Sequence, residues 1–301
     1  MNYEVWKTFV DVCELGSLSK VASLHGISQP QVSRQMKTIE EAFNCQLFIR
    51  TGRGVELTDL GKRIEPEVRN WLQHTEQLEN SIRNTSGIPI GKVRLAILPS
   101  TAAPWLSEVY KLAKERYPGI QLEVREAQGN QLENWLEEGR VDLALLFRHS
   151  IDDKGGDIYL RDTATFLVGP PNDPLTANPT IEFSEINGIP LTLFCRPSSW
   201  RDRLDVLARR YEIDLNVVLE ADSLSLQTHA VASDKCYAML GAYASESARN
   251  LLGLSVSRII APGIKRYLAL SMSPHGQLTL AIKKVKELIK EVSEKYPPGF
   301  E

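Results

Sequence analysis

At 301 residues the chain is long enough to bury one substantial core and carry a small additional head. Its 35 basic residues against 38 acidic ones, a net charge of −3, exclude a protein that holds nucleic acid by bulk charge, so any such contact has to come from a local patch. Four dispersed cysteines without a CxxC pair, no run of 18 apolar residues and an amphipathic N-terminal stretch containing Glu4 and Lys7 argue against a disulfide scaffold, a membrane span and a signal peptide, and the expectation is a reduced cytoplasmic protein.

The first helix is predicted over Tyr3 to Leu15, with Val5, Phe9, Val12 and Cys13 on one buried face and Gly16 as a left-handed cap. Ser17 or Ser19 caps a second helix carrying Val21, Ala22 and Leu24. A turn at His25-Gly26-Ile27 leads to a third helix with Ser28 as its N-cap and Pro30 in its first turn, where a missing N–H costs little. Small Ala22, turn-forming Gly26 and apolar Val32 together fit a helix-turn-helix; the plainer alternative is a generic three-helix bundle. The third helix offers Gln29, Pro30, Gln31, Ser33, Arg34 and Lys37, the short polar, amide and basic types that read base edges and phosphates. Gln29 can pair with adenine or a phosphate, Pro30 can meet a thymine methyl or simply shape the helix start, and Arg34 can grip phosphate or guanine.

Residues 47–50 and 55–57 read as two strands of a wing around 51–54, with both glycines expected at positive φ. Arg50 lies on the first strand and Arg53 at the tip, placed for a minor groove or a phosphate, with a solvated turn arginine as the alternative. Residues 16–39 hold Lys20, Arg34 and Lys37 with no acid, and 42–55 hold Arg50 and Arg53 with no acid, which makes a local patch aimed at phosphate.

Thr58 caps a long helix predicted to run to about Thr85, roughly 40 Å at 1.5 Å per residue. Ile64, Val68, Trp71, Thr75, Leu78 and Ile82 alternate spacings of four and three, a seam suited to pairing two protomers rather than packing on the chain's own body. Pro66 removes one helix hydrogen bond near the start. Ser86-Gly87-Ile88-Pro89-Ile90-Gly91 then breaks the helix, giving expected domains of 1–58, a 59–89 linker with a hinge, and 90–301.

Beyond residue 92 strands and helices alternate. Strands are predicted over 93–98, 120–125, 141–147, 190–195 and 217–220, and helices over 102–117, 130–139, 200–211, 225–233 and about 277–295, with a frayed tail at Pro297-Pro298-Gly299. This order implies two α/β lobes with mainly parallel sheets and a ligand cleft at strand ends and helix N-termini. The cleft candidates are Ser100 and Thr101 after the first strand and Arg196, Pro197 and Ser198 at the matching place in the second lobe, with Gln128, Phe147 and Arg148 as weaker strand-end candidates. They suggest a small anionic effector; helix capping by Ser100 and a surface salt bridge for Arg196 are the alternatives. Cys195 beside Arg196 is either a redox-sensitive thiol or a small buried residue.

Phe9, Ala22, Ser28-Gln29-Pro30, Val32-Ser33-Arg34-Gln35, Ile39-Glu40, Leu47-Phe48, Arg50-Thr51-Gly52-Arg53-Gly54 and Leu57-Thr58-Asp59-Leu60-Gly61 form a dense signature that resembles the LysR-type transcriptional regulators. The resemblance implies an α/β protein with an N-terminal winged helix-turn-helix, a long linker helix and a two-lobed, Rossmann-like effector domain of periplasmic-binding-protein type. It carries DNA roles onto Gln29, Pro30, Ser33, Arg34 and Arg53. It places lobe 1 at about 91–163 and 268–301 and lobe 2 at about 164–267, with crossings near 163–168 and 266–270. The implied partners are double-stranded promoter DNA, a small-molecule effector and further copies of the chain as homodimer or homotetramer, with RNA polymerase as a candidate contact and no membrane.

Two departures from the family pattern stand out. Ser233-Asp234-Lys235-Cys236-Tyr237 replaces a small, glycine-rich turn, and Gly241 stands where proline is frequent. Ser198-Ser199-Trp200-Arg201 is similar to the nitrogen-assimilation branch, where activity does not require a bound effector, so an effector-independent regulator whose C-terminal domain serves oligomerisation is the main alternative. A solute-binding transport component would leave residues 1–62 unexplained. No enzyme, cofactor or metal is expected. His25, His74, His149, His229 and His275 are scattered, no GxSxG, Walker or GxGxxG motif occurs, and Asp152-Asp153 and Glu137-Glu138 read as solvent-facing.

Overall fold

The computed structural model describes residues 2–52, 54–83, 87–102, 105–149, 156–276 and 278–295. Arg53, Asp152-Asp153, Gln277 and the Pro297-Pro298-Gly299 tail lie outside the described residues. The chain divides into two compact units, one built mainly from residues up to 86 and the other mainly from residue 87 onward.

In the first unit α1 (Tyr3–Leu15), α2 (Leu18–His25) and α3 (Gln29–Ala42) close around Trp6, Phe9, Val12, Val21, Ala22, Val32, Met36 and Ile39. Gly16 and Gly26 end the first two helices in the left-handed region, at φ 59° and 65°. Ser17, rather than Ser19, caps α2 by accepting from the Lys20 N–H. Val5 and Cys13 only flank the core, whereas Trp6 and Val10 are buried in it.

The wing strands β1 (Phe48–Thr51) and β2 (Gly54–Leu57) pair antiparallel with Thr51 opposite Gly54. Only one wing glycine takes positive φ, Gly54 at 147°; Gly52 does not. The reason is packing against α1. A Cβ on Gly54 would overlap the Gly16 carbonyl, and the Val55 N–H donates to that same oxygen at 3.0 Å.

Helix α4 (Asp59–Arg83) continues through Pro66. Thr58 caps it, its hydroxyl accepting from the Gly61 N–H at 3.0 Å and donating to the Gln46 carbonyl at 2.9 Å. The expected pairing seam is divided. Val68 is buried and Ile64 partly buried in the head's own core, while Trp71, Leu78 and Ile82 are 45%, 56% and 64% exposed. Arg69 ties α4 to α1, bonding Glu65 at 2.6 Å and Glu14 at 2.8 Å.

The second unit holds two sheets. The first lobe contains β3 (Gly91–Ile97), the short α5 (Pro99–Ala102), α6 (Trp105–Arg116), β4 (Ile120–Glu126), α7 (Gly129–Glu137), β5 (Leu143–Arg148) and β6 (Ile158–Thr163). The second contains β7 (Thr165–Gly169), β8 (Thr180–Glu182), β9 (Leu191–Leu193), α8 (Ser199–Arg210), β10 (Val217–Glu220), α9 (Leu224–Ser233), β11 (Tyr237–Gly241), α10 (Ala242–Leu252) and β12 (Ser255–Ile260). The chain then returns through β13 (Arg266–Met272) and α11 (Leu280–Lys295) to the first lobe.

The strand orders are β4-β3-β5-β13-β6 and β10-β9-β11-β7-β12-β8. Each sheet is parallel except for one strand, β13 in the first and β7 in the second. These are the strands that arrive from the other lobe, so a direct crossover replaces the helix that a parallel connection needs. Both faces of the central strands are covered. On β5, Leu143 and Leu145 face α6 and α11, while Ala144 and Leu146 face α7.

Candidate functional site

On α3 the inward residues Val32, Met36 and Ile39 fix the helix by one face, which turns Gln29, Pro30, Gln31, Arg34 and Lys37 to solvent. Ser28 is the exposed N-cap. The Gln31 side-chain oxygen accepts from both the Ser28 N–H and its hydroxyl, each at 2.8 Å, so half of the Gln31 amide serves the cap and its NH2 is left for a ligand. Ser33 is half-buried, and Arg50 reaches across from β1 to donate to its hydroxyl at 3.3 Å. The third helix and the wing thus share one polar surface. Lys37 pairs with Glu41 at 3.1 Å along the helix, a solvent-exposed contact worth little. Glu40, part of the signature but given no role there, has a carboxylate that accepts from the Leu47 and Phe48 N–H groups at 2.8 and 3.1 Å and holds the wing to α3. Arg53 lies outside the described residues.

The second unit has a cleft between its lobes, lined by Ser100, Gln128, Phe147, Pro197, Ser198, Trp200, Gly241 and Arg266 among others, with a cavity of about 70 Å³. Gln128 spans it, donating to the Asp222 carbonyl at 2.9 Å.

Three expected cleft residues point elsewhere. Thr101 is 1% exposed and its hydroxyl is bonded to the Leu98 carbonyl at 2.9 Å. Arg196 lies on the surface against Asp205 at 2.5 Å. Arg148 is held in the lobe by Asp157 at 2.7 Å and by Glu133. Ser198 lines the cleft while capping α8, accepting from the Arg201 N–H at 3.4 Å. The Cys195 thiol is pushed up, by burial and by Asp222 and Glu220, which removes the argument for an activated thiol beside Arg196. The Asp234-Lys235 turn is exposed and does not line the cleft.

The residue that sequence reasoning passed over is Arg266. It stands at the start of β13, 9% exposed, with its guanidinium 3.9 Å from the Phe147 ring centroid and 4.5 Å from that of Trp200. His149 stacks on Trp200, with ring centroids 6.4 Å apart. The available signal was an arginine opening the otherwise apolar run Arg266-Tyr267-Leu268-Ala269-Leu270.

A winged helix-turn-helix head whose third helix offers a polar face, followed by a two-lobed α/β domain with a cleft, defines a DNA-binding transcriptional regulator with an effector-binding domain. Residues 4–62 match the family described as bacterial regulatory helix-turn-helix protein, lysR family, and residues 86–294 match the LysR substrate binding domain. The chain belongs to the LysR family of transcriptional regulators. It is 29% identical to the nitrogen assimilation regulatory protein nac of Escherichia coli (strain K12), over 97% of this chain and 95% of that one. It is 24% identical to the uncharacterized HTH-type transcriptional regulator YvbU of Bacillus subtilis (strain 168), over 95% and 97%. Among solved structures, full-length CbnR complexed with its target DNA superposes with a TM-score of 0.71 at 16% identity, covering 97% of this chain and all of that one (100%). No described helix is long and apolar enough to cross a membrane.

Proposed function

We propose that the outward face of α3 enters the major groove of promoter DNA, with Gln29, Pro30, Ser33 and Arg34 toward the bases and Lys37 and Arg50 toward phosphates. The observation that carries this is the Arg50–Ser33 contact, which joins the wing to the reading helix in one surface. Two heads on a two-fold site require paired protomers. The exposed Trp71, Leu78 and Ile82 stripe on α4 supports pairing through that helix.

An effector in the lobe cleft biases the heads, and the cytoplasm is where such a protein meets both DNA and RNA polymerase. The cavity of about 70 Å³ falls well below a drug-sized site and fits a small ligand. Titration of the full-length protein against the DNA flanking its own gene, by fluorescence anisotropy with and without a metabolite panel, tests both parts. Specific binding that shifts with one metabolite is expected. Specific binding that no metabolite alters would favour the effector-independent form.

A further inference from the structure

A buried guanidinium without a counter-ion is costly, because desolvation is not offset by an ion pair. Arg266 is in that position. Its guanidinium lies 3.9 Å from the ring centroid of Phe147 in the first lobe and 4.5 Å from that of Trp200 in the second. Its edge is another matter. Among the described residues its Nε has no acceptor and no carboxylate pairs with it. Burial alone acts on its ionisation, pulling it down to about 9.

A Cβ on Gly241 would come within 2.6 Å of the Arg266 Nη1 atom, so the glycine that departs from the family's frequent proline makes room for the cation. The acid in the cleft lining, Glu133, is already held by Arg148. Apolar Leu98, Leu146, Met239 and Leu240 line the cleft around the charge.

We propose that Arg266 is the receptor for the carboxylate of a small organic acid bound in the cleft. The proposal rests on the cleft being the effector site. A planar guanidinium edge takes a carboxylate through two parallel N–H bonds, and the apolar lining takes a short carbon body. The ligand would then bond a cation that residues of both lobes touch, so its binding acts on the contact between them.

The test is thermal unfolding of the full-length protein in acetate, pyruvate, succinate and 2-oxoglutarate, each as the sodium salt, with sodium chloride at matched ionic strength as the reference. Inorganic phosphate and sulfate form separate arms. At saturation one carboxylate is expected to raise the wild-type Tm by about 5 °C. Arg266→Met, whose chain can lie between the same rings, is expected to lose that shift while still unfolding cooperatively. Arg266→Lys is expected to weaken it by about tenfold in apparent Kd, which carries the test should the Met variant not fold. No carboxylate shift in the wild type, a shift that survives unchanged in these variants, or a shift given only by phosphate or sulfate overturns the proposal. A shift retained in Arg266→Met but lost in Gln128→Ala would overturn the role of Arg266 and leave the cleft as the ligand site. A shift indifferent to both changes would overturn the cleft as well.

Discussion

Arg50, on the first wing strand, donates to the hydroxyl of Ser33, in the middle of the third helix, at 3.3 Å. The wing therefore sets the position of a cation over the polar face of the third helix, and the arginine itself is exposed. Arg50→Ala is expected to weaken binding to all sequences alike and to lower the slope of log affinity against log salt by about 1. An anisotropy titration across a salt series checks this; a changed base preference with an unchanged slope would assign Arg50 to the bases instead.

Gly54 joins the wing to the end of α1 by lying against the Gly16 carbonyl at a φ of 147°. Both the conformation and the space exclude a side chain. Gly54→Ala is expected to cost about 2–4 kcal/mol of head stability, measured by denaturant unfolding. Gly52→Ala has nothing within 4 Å of its new methyl and is expected to be close to neutral.

The long helix buries apolar residues in the head over one part of its length and exposes them over another. Leu78→Glu, at a 56% exposed position, is expected to dissociate paired protomers without unfolding the head, as read by analytical ultracentrifugation. Val68→Ala, in the head's own core, is expected to cost about 1–3 kcal/mol of stability and leave assembly intact.

The Cys13 thiol is pushed up from 9.0 to about 12, chiefly by burial and next by the nearby Glu65 carboxylate, with Arg69 opposing. The folded protein keeps this proton where an unfolded chain releases it. The contribution to stability is therefore complete below pH 9 and is lost as pH rises from there toward 12. Cys13 is expected to resist alkylation at pH 8 in the native protein and to react on unfolding, which mass-resolved thiol labelling reads directly.

The head was legible because its signals are local. Gly16, Ser17, Gly26, Ser28 and Thr58 each act within a few residues, and caps and turns carry their own chemistry. The two lobes were legible from alternating strands and helices, and the first crossing falls between Thr163 and Thr165. The mainly parallel sheets followed from that alternation, whereas the one antiparallel strand in each, β7 and β13, did not, since strand direction depends on partners far away in sequence. The cleft was the least legible part. Thr101 and Arg196 sit at the right ends of the right strands, but one turns inward to the Leu98 carbonyl and the other outward to Asp205. Arg266 gains its setting only when Phe147, Trp200 and Gly241 are brought together by the fold. The division of the α4 seam has the same origin, because a heptad pattern does not say whether the partner face is a second chain or the protein's own α1.

The central proposal is that the outward face of α3 reads DNA sequence. The direct measurement is the binding-site preference of Gln29→Ala beside the wild type, selected from a random duplex pool and confirmed by titration. A loss of discrimination of about 1–3 kcal/mol at one base position, with the rest of the site unchanged, is the predicted result. An unaltered preference and affinity in Gln29→Ala, and again in Arg34→Ala, would contradict it and move the reading surface off this helix.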